Sequence, residues 1–118
     1  RFDGPRQYRN PFVLLTDTFP VSAGEPFISF IKNFDDVTQI GTGTSGDFSD
    51  TSMRRFLPNS MQYQFAIMRF LTPDGRSLEG VGHNPDIYAR NTPADIETGR
   101  DVVMDRTYQF LFEEYGIE

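Results

Sequence analysis

The alternation of apolar and polar positions splits the chain into a strand–helix–strand front and a back that begins with strands. Phe12-Val13-Leu14-Leu15-Thr16 is an uninterrupted apolar run and predicts a short buried strand. A turn from Asp17 to Val21, carrying Pro20, follows it. Phe27, Ile28, Ile31 and Phe34 then recur at helical spacing, which predicts an amphipathic helix from about Ala23 to Phe34 with Ser22 at its N-cap. Asn33-Phe34-Asp35-Asp36 ends that helix, and Val37-Thr38-Gln39-Ile40 predicts a second short strand. Strand, helix and strand in so short a stretch form a βαβ unit, which favours parallel pairing.

The period changes from Arg54 onward. Arg55-Phe56-Leu57 is brief and stops at Pro58-Asn59. Met61, Tyr63, Phe65 and Ile67 alternate with Gln62, Gln64, Ala66 and Met68, the pattern of a strand with one buried face. Phe70-Leu71-Thr72 prolongs it to Thr72-Pro73-Asp74-Gly75, a hairpin turn from which Arg76 to Glu79 returns. Gly80 to Asp86 is a glycine-broken loop, and Ile87-Tyr88-Ala89 a last short strand. After a polar loop, Asp101 to Tyr115 predicts a final helix with the stripe Met104, Tyr108, Leu111 and Tyr115, capped by Asp101 and stopped by Gly116. Arg1 to Asn10 is polar and predicts an entering loop.

Composition narrows the classes. With 118 residues the chain is the size of one small domain, and it shows no repeat, linker or low-complexity segment. It opens Arg1-Phe2-Asp3-Gly4-Pro5 without a signal peptide or a membrane-spanning run, and reads as an incomplete piece of a longer protein. Net charge is −6 with scattered acids, so a phosphate backbone is repelled and nucleic acid is not an expected partner. The absence of cysteine excludes disulfides and thiolate metal sites, and one histidine excludes a multi-histidine site; no metal or cofactor is expected.

The candidate chemistry centres on Ser22-Ala23-Gly24-Glu25. Strand, turn, serine and helix is a recurrent architecture for a nucleophile, because the free N–H groups of a helix start lie nearby and can stabilise an oxyanion. The same four residues also form a Ser-x-x-Glu capping box, with Ser22 accepting from the first helical turn and Glu25 reaching back. Local sequence leaves both readings open. Gly41-Thr42-Gly43-Thr44-Ser45-Gly46 matches G-x-G-x-x-G, yet no helical period follows at Asp47 and two aspartates would face a pyrophosphate, so a flexible wall beside the Ser22 turn is expected instead of a nucleotide site. Glu79 reads as a solvated carboxylate at a strand end, and His83 as an exposed loop histidine, although a Ser22–His83–acid triad is not locally forbidden.

Three motifs fall in one order: Thr16-Asp17 followed by Ser22-Ala23-x-Glu25; Gly41-x-x-Thr44-x-Gly46; and Glu79-x-x-Gly82-x-x-Pro85-Asp86. Leu57-Pro58-Asn59 and Pro73-Asp74-Gly75 lie between the last two. Together they resemble the C-terminal half of the catalytic domain of C-terminal processing (tail-specific) serine peptidases, above all the tricorn-like branch, over nearly the whole chain from Pro11. The resemblance implies an α/β fold of the crotonase and Clp protease kind: a ββα core fragment with parallel strands, a β-hairpin and a C-terminal helix. It also implies a serine-type endopeptidase acting on polypeptide, with Ser22 as nucleophile, the Ala23 N–H as one oxyanion donor and a second donor upstream of this chain. In the processing peptidases a lysine after the glycine loop is the base. Here Asp47 follows Gly46, and the sole lysine, Lys32, lies in the first helix, so that branch is disfavoured. The tricorn-like branch uses an upstream histidine supported by a glutamate corresponding to Glu79. The family places no base at His83. A catalytically silent relative serving as a ligand- or peptide-binding module is the alternative. Family resemblance alone suggests a periplasmic or otherwise exported bacterial location, and an open sheet edge would allow a homo-oligomer.

Overall fold

The parallel unit forms where the pattern puts it. In the computed structural model, which describes Tyr8 and residues 10–48 and 52–117, β1 (Phe12–Thr16), α1 (Gly24–Ile31) and β2 (Val37–Gly41) follow one another. β1 pairs with β2 in parallel, from Phe12 opposite Val37 to Thr16 opposite Gly41. The short β5 (Ile87–Tyr88) joins the other edge of β2, also in parallel, so the sheet order is β1-β2-β5. β2 is therefore the central strand, and Gln39 and Ile40 on it are fully buried. The entering segment up to Arg9, except Tyr8, lies outside the described residues.

The interior is mostly polar. Ile28, Ile40, Phe48 and Ala89 are its buried apolar side chains, beside buried Thr16, Glu25, Gln39, Thr44, His83 and Thr107. That composition corrects the orientation expected of α1. The helix ends at Ile31 rather than Phe34, turns Glu25 and Ile28 inward, and leaves Phe27, Phe30 and Phe34 exposed by half or more. A periodic apolar stripe marks one face of a helix, but the face turned inward here is the one that carries Glu25 to the glycine loop and to His83.

The back half departs further from expectation. The antiparallel hairpin is β3 (Ser52–Phe56) with β4 (Gln62–Ala66), paired from Ser52 opposite Ala66 to Phe56 opposite Gln62. Its turn is Pro58-Asn59-Ser60, where Ser60 takes φ 66° and the Leu57 N–H donates to the Met61 carbonyl at 2.8 Å. Thr72-Pro73-Asp74-Gly75 does form a turn, with the Gly75 N–H on the Thr72 carbonyl at 2.8 Å, but the described residues flanking it form no strands. Every residue of β4 is exposed, so the face alternating through Tyr63 and Phe65 covers nothing among the described residues; those two rings stack on each other at 5.7 Å.

Near the C-terminus, α2 (Pro93–Glu97) stands where a polar loop was expected. It begins with a capping box at Thr92 and Asp95 and with Pro93 in its first turn. α3 (Val102–Tyr115) keeps its expected limits: the Asp101 carboxylate accepts from the Val103 and Met104 N–H groups at 3.1 Å, and Gly116 closes it in the left-handed conformation. Its inward face holds half of the expected stripe: Met104 and Leu111 are half-buried beside half-buried Val103 and buried Thr107, whereas Tyr108 and Tyr115 are exposed. No helix among the described residues is long and apolar enough to cross a membrane.

Candidate active site

Ser22 sits on a sharp turn between sheet and helix. Val21 forms an isolated parallel bridge to Asp47, and the Ser22 N–H donates to the Asp47 carbonyl at 2.6 Å. Ser22 itself takes φ 62°, a left-handed conformation that costs a non-glycine residue about 1–2 kcal/mol. Ala23, not Ser22, is the N-cap of α1, and the side chain at that position makes no capping bond. The capping-box reading is thereby corrected. Ser22 lies one residue before the cap, and Glu25 turns into the interior instead of back toward the helix start. The Ala23 N–H makes no hydrogen bond among the described residues, so it is available at the helix start beside Ser22.

Glu25 is fully buried. Its Oε1 accepts from the Gly46 N–H at 2.6 Å and its Oε2 from the Thr44 hydroxyl at 2.8 Å. The glycine loop is consequently a packed element, not the flexible wall expected of it; residues 49–51 lie outside the described residues. The Thr44 N–H donates to the His83 carbonyl at 3.1 Å, the His83 N–H returns to Thr44 Oγ1 at 2.8 Å, and the Gly80 N–H donates to the Gly46 carbonyl at 2.9 Å. Gly46 takes φ +74°, and a Cβ there would fall 2.6 Å from Val81 N and 2.7 Å from Leu78 O. Among the described residues after Gly46, the next element is β3.

His83 is 8% exposed, which overturns its reading as an exposed loop histidine. Its Nε2 lies 3.0 Å from Ser29 Oγ, 3.2 Å from the Glu25 carbonyl and 3.7 Å from Glu25 Oε2. A carbonyl only accepts, so this geometry favours a proton on Nε2. Burial lowers the His83 pKa from its ordinary 6.5 against the pull of the Glu25 carboxylate and carbonyl, and the Lys32 charge lowers it further. The imidazole thus directs its Nε2 to Ser29 and Glu25 of α1. Lys32 is likewise committed: its Nζ donates to Gln39 Oε1 at 2.7 Å, the Asn84 carbonyl at 3.0 Å and Asp86 Oδ1 at 3.3 Å. Asp86 in turn accepts the Gln39 N–H at 2.8 Å, so the Pro85-Asp86 end of the third motif clips the 80s loop onto β2.

Of the three sequence candidates, Ser22 and Ala23 share the turn. Glu79 is exposed on the 78–82 turn and joins them through backbone: Gly80 to Gly46, then Asp47 to Ser22. Sequence reasoning missed the inward role of Glu25, whose partners lie 19 and 21 residues away. A groove of about 540 Å³ opens at the C-terminal ends of the parallel strands, between Thr16, the Asp17–Pro20 turn that leads to Ser22, and Val103 and Met104 of α3. Ligands of open α/β sheets bind outside that end. No His/Asp/Glu cluster suited to a metal occurs among the described residues.

Residues 2–89 match the family model of peptidase family S41. A candidate peptidase from Parabacteroides merdae is 27% identical with a TM-score of 0.79, over 89% of this chain and 33% of its own. The tricorn protease is 23% identical with a TM-score of 0.78, over 96% of this chain and 12% of its own. Mature CPAF is 24% identical with a TM-score of 0.67, over 79% of this chain and 18% of its own. The chain thus spans a third or less of the length of these solved structures.

Proposed function

The chain belongs to peptidase family S41, and from that membership we propose that it is the part of a serine endopeptidase that carries the nucleophile, Ser22. The observation that carries the reading is the conformation of Ser22. A non-glycine residue at φ 62° between the Val21–Asp47 bridge and a helix start is strained, and strain of this kind collects where a side chain must be presented rather than packed. In the proposed mechanism Ser22 Oγ attacks the carbonyl carbon of a polypeptide substrate. Its proton passes to a base outside the described residues, and the Ala23 N–H donates to the oxyanion that forms. Glu79, joined to the turn through Gly80 and Gly46, supports that base. Lys32 is held by Gln39, Asn84 and Asp86, which agrees with a base supplied from elsewhere. The unpaired edge of β1, which among the described residues pairs with β2 alone, is where we place a further strand.

The test uses fluorogenic peptides and a serine-directed peptidyl phosphonate on the intact protein and on the 118-residue chain. In the intact protein Ser22→Ala abolishes turnover and labelling, and Glu79→Gln lowers turnover without unfolding. The chain alone is inactive, since one oxyanion donor accounts for only about a hundred- to a thousandfold of rate. Full activity of intact Ser22→Ala would refute the assignment. A wild-type protein that binds peptides without cutting them would favour a silent binding module.

A further inference from the structure

We propose that Glu25 is a positioning residue for Ser22: its buried carboxylate closes a ring of bonds that holds the serine in its left-handed conformation and ties it to the Glu79 turn. The inference rests on the reading of Ser22 as nucleophile and adds to it a residue that touches no substrate.

The ring can be followed atom by atom. From Ser22 the chain runs through Ala23 and Gly24 to Glu25, whose Oε1 takes the Gly46 N–H at 2.6 Å. Gly46 is followed by Asp47, whose carbonyl takes the Ser22 N–H at 2.6 Å. Closing this loop fixes the serine's N–H and the first turn of α1 relative to each other. The strained φ at Ser22 needs such over-determination, because a free turn would relax toward negative φ. The Gly46 peptide serves a second purpose. Its N–H goes to Glu25 and its carbonyl receives the Gly80 N–H at 2.9 Å, so one peptide unit joins the serine turn to the turn that bears Glu79.

The carboxylate is built for this task rather than for proton transfer. Glu25 is 0% exposed, and both oxygens already accept, Oε2 from the Thr44 hydroxyl at 2.8 Å. Thr44 Oγ1 accepts the His83 N–H, so the hydroxyl must send its own proton to Glu25 and the direction of the bond is fixed. An acceptor-only group between two donors is what an ionised carboxylate supplies and an amide does not. In Glu25→Gln one side of the amide faces Thr44 with N–H₂, and that hydroxyl then has to find another acceptor. The brace is loosened, not removed.

The experiment is done on the intact protein with three variants, Glu25→Gln, Thr44→Val and Thr44→Ser. It reads kcat and KM on a fluorogenic peptide, the rate of phosphonate addition to Ser22 by intact mass, and the thermal midpoint. Displacing a reacting group by a fraction of an ångström to one ångström lowers rate by about ten- to a hundredfold. Glu25→Gln and Thr44→Val are therefore expected to lose that much in kcat and in labelling rate while KM stays within about threefold. Combining them costs little more than either alone, because both break the same brace. Thr44→Ser keeps the hydroxyl and restores the rate. Folded Glu25→Gln or Thr44→Val protein labelled as fast as wild type overturns the proposal. If Glu25→Gln does not fold, the Thr44→Val and Thr44→Ser pair decides alone. Failure of the wild type to label at Ser22 brings down the peptidase reading itself, an outcome distinct from equal labelling of wild type and variants.

Discussion

Replacing Gly46 by alanine tests how tightly the glycine loop is held against the 78–82 turn. Gly46 has φ +74°, which an L side chain adopts at a cost of about 1–2 kcal/mol. The added methyl would also meet backbone: Val81 N at 2.6 Å, Leu78 O at 2.7 Å, and Gly82 N closer still. Backbone cannot rotate away as a side-chain tip can, and overpacking typically adds about 1–3 kcal/mol. The sum is about 2–5 kcal/mol, a large share of the stability of a domain. Gly75 supplies the control. It has φ +82° and nothing within 4 Å of its Cβ position, so Gly75→Ala carries the conformational cost alone, about 1–2 kcal/mol. Urea denaturation of the intact protein and both variants gives the comparison. Gly46→Ala should fall below Gly75→Ala by at least about 1 kcal/mol, and it alone should slow phosphonate labelling of Ser22. Equal losses in the two variants would refute the close approach, and with it the idea that the loop registers the two turns.

The buried histidine makes stability depend on pH. Because burial holds the folded pKa of His83 below 6.5, the unfolded chain binds more protons below that pH; the stabilisation is full above about 6.5 and is lost as pH falls toward the folded value. Urea midpoints followed from pH 7.5 down to 5 should drop for wild type and flatten for His83→Gln, and parallel curves would reject the assignment. Lys32→Met leaves the fully buried Gln39 amide oxygen and the Asn84 carbonyl without their donor, and should cost about 1–3 kcal/mol by denaturation. Asp101→Ala removes the acceptor for Val103 and Met104 N–H and should lower helicity and the thermal midpoint, with Asp101→Asn recovering most of the loss.

What could be read in the sequence was what local chemistry decides. Phe12–Thr16 is an apolar run, Val37–Ile40 a short stretch with β-branched Val, Thr and Ile; both are bounded by turn residues, and both are strands. Asp101 and Gly116 are end signals whose partners lie within a turn of helix, and both act as read. Thr92-Pro93-x-Asp95 carries the same kind of signal for α2 inside a stretch whose polarity reads as loop. Long-range choices were not legible. Ser22-x-x-Glu25 satisfies the local rule for a capping box, but the Gly46 N–H and Thr44 hydroxyl, brought across from the loop after β2, compete for the same carboxylate and win it. His83 is ordinary loop sequence until Ser29 and Glu25, 54 and 58 residues earlier, enclose it. Pro73-Asp74-Gly75 is a stronger local turn signal than Pro58-Asn59-Ser60, yet strand pairing chose the latter, because pairing depends on what the flanking residues can reach.

What the described residues offer the Ser22 turn follows from where their polar groups point. Glu25, Thr44, Gln39, Lys32, His83 and Asp86 are all engaged with one another or with backbone around α1, β2 and the 80s loop. Such a satisfied network is stiff, since breaking any member strands a buried partner. It therefore suits the holding of a strained serine better than the movement of protons. A base must keep a lone pair free and turned toward the nucleophile; the Lys32 ammonium is held by Gln39, Asn84 and Asp86, and the His83 Nε2 by Ser29 and the Glu25 carbonyl. The apolar surface points the same way. Phe27 and Phe30 on α1, Phe34 just after it, and Tyr63 and Phe65 on the hairpin stay about half exposed, and exposed apolar area of that extent marks a surface made for contact. On the proposed reading of Ser22 as nucleophile, a chain that spans a third or less of its solved relatives, with the Ser22 turn braced from within and its outer faces apolar, presents a serine to a base supplied from elsewhere.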